Sequence, residues 1–321
     1  MEKYLITGFS GFVSQHFLNL LEFMQVPVAV LGMDINQPDF SISNYKFIKC
    51  QFCKIDLLDK SQVDNTLYQF LPNFILHLAS YSSVAFSWKH PLASFANNTN
   101  IFLNLLEQIR TMNLKCRIIS VGSSEEYGNV NPKDIPLKET QELKPVSPYA
   151  VARVSQEMLS KVYVDGYGLD IILTRSFNHI GPGQKDIFVI SSFAKQLVEI
   201  KTQNKSPQLQ TGNLQITRDF LDVRDVVKAY YTLFKKGRKG EIYNICSGVG
   251  ITLEDIIQKM ADILSIQITT ITDHNLIRPN DNLLIRGSND KIKSETGWNT
   301  TISLEQSLRD ILGYWENIQK Q

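Results

Sequence analysis

Through roughly the first 180 residues, apolar side chains gather in short runs at residues 4–7, 28–33, 45–50, 74–78, 117–121 and 171–174. Runs this short, rich in β-branched side chains and without polar alternation, predict strands covered on both faces, as in a parallel sheet. Between them apolar positions recur with helical spacing, which predicts helices over residues 11–25, 60–70, 91–112 and 149–167. Strand and helix alternating in this order build βαβ units, whose right-handed crossovers give a doubly wound parallel α/β sheet. Such a sheet opens its ligand crevice beyond the carboxyl ends of its strands.

After about residue 178 the rhythm loosens into Gly- and Pro-rich turns, with helices predicted at 191–200, 222–234 and 304–318 and a strand at 241–245. The pattern predicts a Rossmann dinucleotide-binding domain over 1–178, to which 222–246 returns, and a smaller interleaved α/β substrate-binding lobe over 179–321.

Composition narrows the partners. With 43% hydrophobic residues, 20% charged residues and a net charge of +1, the chain is of globular type and carries no basic footprint for nucleic acid. No apolar stretch reaches the roughly 20 residues of a membrane span, and the start leads into a strand-like run rather than a signal segment, so a soluble, cytoplasmic protein is expected. Cys50-Gln51-Phe52-Cys53 lacks a second cysteine pair or a nearby histidine and reads as ordinary thiols at the end of a strand. The five histidines are scattered, so no protein-built metal site is expected.

Candidate chemistry begins directly after the first strand, at Gly8, Phe9, Ser10, Gly11, Phe12 and Val13. Glycines at 8 and 11 permit a tight turn that brings a pyrophosphate onto the first amides of the following helix, while Ser14 replaces a third glycine. Asp34, followed by Ile35, ends the second strand 26 residues beyond Gly8. Two readings fit that carboxylate: it accepts the adenosine ribose hydroxyls and repels a 2′-phosphate, favouring NAD over NADP, or it begins a turn with Asn36. Asp56, with Leu57, follows the third strand, where it meets the adenine or caps a helix.

Ser147-Pro148-Tyr149 reads as a capped helix start, and a spacing of four puts Tyr149 and Arg153 on one face. A cation beside a phenol favours its ionised form and makes it a usable acid or base. Ser123, Ser124 and Glu125 follow the fifth strand and place hydroxyls and a carboxylate at the same sheet edge. Hydride chemistry at a carbon bearing oxygen needs such groups beside a nicotinamide.

Thr7–Phe12, His77-Leu78-Ala79, Ser123–Tyr127, Tyr149-x-x-x-Arg153 and the run Arg175–Gln184 together resemble the extended short-chain dehydrogenases over nearly the whole chain. The last run is most similar to the branch of GDP-mannose 4,6-dehydratase and GDP-4-keto-6-deoxy-mannose reductase. The resemblance implies Tyr149 as the proton-transferring residue, Ser123 as its hydroxyl partner and Glu125 as an auxiliary acid or base. It implies Leu78 and Ala79 beside the cofactor, Ser82, Ser83 and Ser124 as substrate-binding residues, and Asn178 and Arg218 on the sugar diphosphate. Arg278 and Asp281 would grip the nucleotide, and two helices, 91–112 and 149–167, would pair in a homodimer. Arg153 departs from the family's usual lysine; it keeps the charge but cannot release a proton, which puts a lysine-type relay in question.

One site of this kind serves three outcomes on a GDP-linked sugar: 4-keto reduction, 4,6-dehydration, and 4-oxidation with or without epimerisation. The short chain favours a GDP-4-keto-6-deoxy-D-mannose reductase-like activity, whereas Asp34 suits enzymes that retain NAD. A nucleotide-binding relative weakened by Arg153 is the reading from another class.

Overall fold

The computed structural model describes residues 1–203, 205–277 and 282–320. In chain order the elements are β1 (Glu2–Thr7), α1 (Phe12–Phe23), β2 (Val28–Asp34), β3 (Ile48–Lys54), α2 (Lys60–Phe70), β4 (Phe74–His77), α3 (Val84–Lys89), α4 (Pro91–Phe95), α5 (Ile101–Thr111), β5 (Arg117–Ser123), α6 (Pro148–Tyr167) and β6 (Asp170–Ser176). There follow β7 (Asn178–Ile180), α7 (Val189–Gln203), β8 (Gln208–Thr211), β9 (Thr217–Asp222), α8 (Val223–Lys236), β10 (Ile242–Ile245), β11 (Gly250–Thr252), α9 (Leu253–Leu264), β12 (Thr269–Thr272), α10 (Asp290–Thr296) and α11 (Leu304–Ile318).

Seven strands form one parallel sheet in the order β10-β6-β5-β4-β1-β2-β3. Order reverses at β1, and the crevice of a doubly wound sheet opens at that switch point. One face is covered by α1 and α8, whose Phe17, Leu18, Val226 and Tyr230 are buried against Tyr4, Ile6 and Ile119. The other is covered by α2, α5 and α6 through Val63, Leu105, Ile109 and Tyr163. Each fully buried aliphatic side chain of this kind contributes roughly 1.5–3 kcal/mol. A separate core joins α7, α9 and α11 through Leu197, Ile256, Met260, Leu308 and Trp315. Beside it lie a three-stranded sheet, β11-β9-β7, and the pair β12-β8.

Local chemistry explains the element ends. In α6 the Ser147 hydroxyl accepts from the Ala150 amide at 3.1 Å, Pro148 opens the first turn and Gly168 closes the helix at φ +73°. At α2 the cap is Asp59, which accepts from the Ser61 and Gln62 amides, while Asp56 accepts from Leu58 in a turn just before it. The third strand starts at Ile48, later than the apolar run suggests, because the Glu22 carboxylate takes the Lys46 and Phe47 amides. Cys50 and Cys53 therefore lie inside β3, on opposite faces, as free thiols. The predicted helix 91–112 is interrupted by a π turn at Ala96–Asn100, where polar side chains bond outside the helix: Asn98 to the Tyr81 backbone and Thr99 to the Ala152 carbonyl.

Candidate active site

The turn after β1 is built to hold an anion against the backbone. Gly8 stands at φ +70°, and a Cβ there would lie 2.6 Å from the Ala79 nitrogen, so only glycine lets the β1 and β4 ends close on each other. Thr7 ties them further, its carbonyl accepting from Leu78 and its hydroxyl from Ala79. Gly11 is the N-cap of α1 and provides no side-chain oxygen, so the first-turn amides keep their positive end for a ligand. Phe9 contributes backbone alone, since its side chain is buried with Phe40 and Phe52. Phe12 and Val13 begin α1, and Phe12 packs on His16.

At the end of β2 the Asp34 carboxylate accepts from the Ser10 amide at 3.0 Å and the Asn36 amide at 2.9 Å. Asp34 therefore shapes the turn with Asn36, and its bond to the Ser10 amide sets it directly beside the glycine loop. Ile35 is exposed next to it, Asp56 is exposed, and Leu57 is buried with its carbonyl accepting from Asn104. Glycine cradle, uncapped helix start and a carboxylate at the end of β2 together fit a dinucleotide.

Tyr149 and Arg153 lie on the first turns of α6, both buried. Arg153 Nε donates to the phenol oxygen at 3.2 Å, and its guanidinium carbon stands 5.3 Å from the ring centroid. Nη1 donates to the Val121 carbonyl at 2.9 Å, two residues before Ser123 on β5. Phenol, cation and serine thus belong to the same edge of the sheet. Ser123 Oγ accepts from the Glu125 amide at 3.2 Å, which leaves its proton to be given outward. Glu125 is half-buried, whereas Ser124 is buried in the 3-10 turn Ser124–Tyr127.

Behind this edge lies a charged layer that the motifs did not point to. Arg175 bonds Glu157 through both Nε and Nη2 at 2.9 Å, each side chain almost fully enclosed. Glu126 accepts from the Ser123 amide at 2.6 Å, and burial together with the Glu157 carboxylate pushes its acid well above the usual range. The helical spacing of Arg153, Gln156 and Glu157 was the available signal.

The other predicted substrate residues lie on several separate elements. Asn178 begins β7, half-buried. Arg218 on β9 is buried, with Nη1 donating to the Thr217 and Asn282 carbonyls. Ser82 is exposed, and the Ser83 hydroxyl accepts from Phe86 as the cap of α3. Arg278 and Asp281 lie outside the described residues. Among the described residues, no cluster of three His, Cys, Asp or Glu is arranged to hold a metal ion, and no helix is long and apolar enough to cross a membrane.

Fold and site define a nicotinamide-dependent oxidoreductase of the extended short-chain dehydrogenase class. The profile of the GDP-mannose 4,6 dehydratase family matches residues 5–311, and the chain belongs to that family. It is 32% identical over 98% of both chains to GDP-6-deoxy-D-mannose reductase of Pseudomonas aeruginosa, and 27% identical to GDP-6-deoxy-D-talose 4-dehydrogenase of Aggregatibacter actinomycetemcomitans, covering 87% of this chain and 86% of the other. Among solved structures it is similar to RMD from Pseudomonas aeruginosa complexed with NADPH, with TM-score 0.87 and 31% identity over 99% of this chain and 100% of that one. The UDP-glucose 4-epimerase of Thermotoga maritima has TM-score 0.87 at 26% identity over 99% of each chain.

Proposed function

We propose that the protein reduces the 4-keto group of a GDP-linked 6-deoxyhexose, in the manner of a GDP-4-keto-6-deoxy-D-mannose reductase. The observation that carries this reading is the Arg153 to Tyr149 hydrogen bond, with Arg153 anchored to β5 two residues before Ser123, in a chain 32% identical to the Pseudomonas reductase over 98% of both chains. When bound, the nicotinamide supplies the hydride to C4. The Tyr149 phenol gives its proton to the O4 oxygen as the carbonyl becomes an alcohol, and Ser123 donates a second hydrogen bond to that oxygen. Arg153 stabilises the phenolate left behind through a charge-assisted bond, and water restores its proton. Arginine is sufficient for this because it acts as a fixed charge, so no lysine-type relay is required.

The cofactor is held by the glycine turn and the start of α1, and Asp34 favours NAD over NADP. Asn178, Arg218, Arg278 and Asp281 are assigned to the sugar diphosphate and nucleotide, and Glu125 to an auxiliary role. The dinucleotide domain comprises 1–178 with the returning 222–246, since β10 joins the main sheet; the remainder forms the sugar lobe. Subunits pair through α4, α5 and α6. Leu92, Val151, Met158 and Val162 leave an apolar face exposed there, and Trp88, Phe95 and Val146 help line a groove of about 570 Å³.

The decisive experiment supplies GDP-4-keto-6-deoxy-mannose with NADH or NADPH and follows loss of the reduced cofactor, with Tyr149→Phe as control. Reduction to a GDP-6-deoxyhexose, lost in the control, is expected. No turnover on any GDP-linked ketosugar rejects the reading, and conversion of GDP-mannose itself to the ketosugar would make the protein a dehydratase.

A further inference from the structure

We propose that Gln156 is a positioning residue, which aims the Arg153 guanidinium at the Tyr149 phenol; this rests on reading Tyr149 and Arg153 as the proton-handling pair. Gln156 follows Arg153 by three residues on α6, so both side chains leave the same helix face. It is 1% exposed. Its Oε1 accepts from Arg153 Nη1 at 2.6 Å, while its Nε2 donates to Ser120 Oγ at 2.9 Å and to the Val121 carbonyl at 3.3 Å. Ser160 completes the frame, its hydroxyl donating to Ser120 Oγ at 3.1 Å. The carboxamide is therefore anchored to β5 at one end and offers a fixed acceptor at the other.

The guanidinium is planar, so two anchors on Nη1, the Val121 carbonyl and Gln156 Oε1, also set the direction of its Nε–H. That bond points at the phenol oxygen. A lysine ammonium has no such orientation to fix; its three donors rotate freely, and Gln156 has a task because position 153 holds arginine. The choice of an amide follows from charge. A carboxylate at 156 would hold the guanidinium equally well but neutralise the cation that faces the phenol, and it would add to the buried acids Glu126 and Glu157. An amide orients the cation and leaves its charge unspent.

The test uses the full chain with isotopically labelled arginine side chains, observing the Nε–H signals by NMR and identifying that of Arg153 by its absence in Arg153→Lys. In Gln156→Met the Arg153 signal is expected to shift or broaden into exchange with water. In the reductase assay kcat should fall about tenfold with KM nearly unchanged, the signature of misaimed chemistry rather than lost binding. In the Arg153→Lys background the same change should alter kcat less than about twofold. Gln156→Asn, which keeps a polar group in the core but withdraws the acceptor by one methylene, should reproduce both effects if Gln156→Met does not fold. An unmoved Arg153 signal, or an equal loss of kcat with lysine at 153, overturns the proposal. The NMR result stands without any substrate, so inactivity of every variant and of the wild type would reject the reductase reading alone.

Discussion

Phe9 closes the glycine turn from below by packing against Gly32: a Cβ at position 32 would lie 2.1 Å from the Phe9 Cγ. The ring that anchors the dinucleotide loop thus depends on a bare backbone in the middle of the neighbouring strand. Gly32→Ala is expected to push Phe9 out of its place between Phe40 and Phe52 and to displace the backbone of residues 8–11 with it. Overpacking of this kind costs about 1–3 kcal/mol. A thermal melt should therefore drop, and NADH binding followed by fluorescence should weaken by roughly tenfold. Unchanged affinity in a destabilised variant would separate the loop's position from its packing.

Asp34 shapes the glycine turn, and the proposed preference for NAD gives it a second task that a variant should separate from the first. Asp34→Asn keeps one oxygen for the Ser10 or Asn36 amide but removes the charge that, on the proposed reading, opposes a 2′-phosphate. The ratio of NADPH to NADH affinity is expected to rise about tenfold, with NADH affinity itself falling through loosening of the Ser10 contact. Titration of both cofactors against the same preparation checks this. A ratio that stays put would mean that Asp34 acts on the loop alone.

Much of this site was readable before any coordinates, because its parts are local. The glycine turn, the Ser147 cap and the Tyr149–Arg153 spacing each sit within one element end, and α2 and α11 fall where periodicity puts them. What stayed hidden depends on distant partners. The short strands β8 and β12 pair across a large sequence separation and have little apolar content to mark them. Helix α9 did carry a signal, the Thr252 hydroxyl capping the Asp255 amide ahead of an apolar stripe, which a search for caps finds. The Arg175–Glu157 pair joins β6 to α6, and Phe9 faces inward because Gly32 makes room, so neither follows from the run of residues around it.

The proposed subunit contact makes its own demand on α6. Val151, Met158 and Val162 recur at helical spacing on the surface and are 44%, 42% and 57% exposed, while Leu92 of α4 is 87% exposed. Exposed apolar side chains gathered in this way are what the proposed pairing would cover. Val162→Asp puts a charge on this face, at its most exposed α6 position and away from the glycine turn and Tyr149. Analytical ultracentrifugation should show a dimer for the wild type and a monomer for the variant, both still binding the dinucleotide. A wild type that sediments as a monomer at micromolar concentration removes the pairing.

His77 makes stability depend on pH in a direction its surroundings fix. It is fully buried at the end of β4, its Nδ1 2.8 Å from the Thr7 hydroxyl and its ring packed at a tilt against Phe102. Burial, reinforced by the positive charge of Arg153, pushes its pKa from 6.5 down to about 3. Above pH 6.5 the imidazole is neutral in both folded and unfolded chains, and the full stability is present. As the pH falls from there toward 3, the unfolded chain takes up a proton that the folded chain refuses, and stability declines by up to about 1.4 kcal/mol per pH unit. His77→Asn retains a hydrogen-bonding group for Thr7 but does not titrate. Urea unfolding at a series of pH values should therefore give the variant a slope between pH 4 and 6 that is shallower by up to about one proton's worth. Parallel curves for the two proteins would show that His77 is already protonated in the fold, against the geometry that surrounds it.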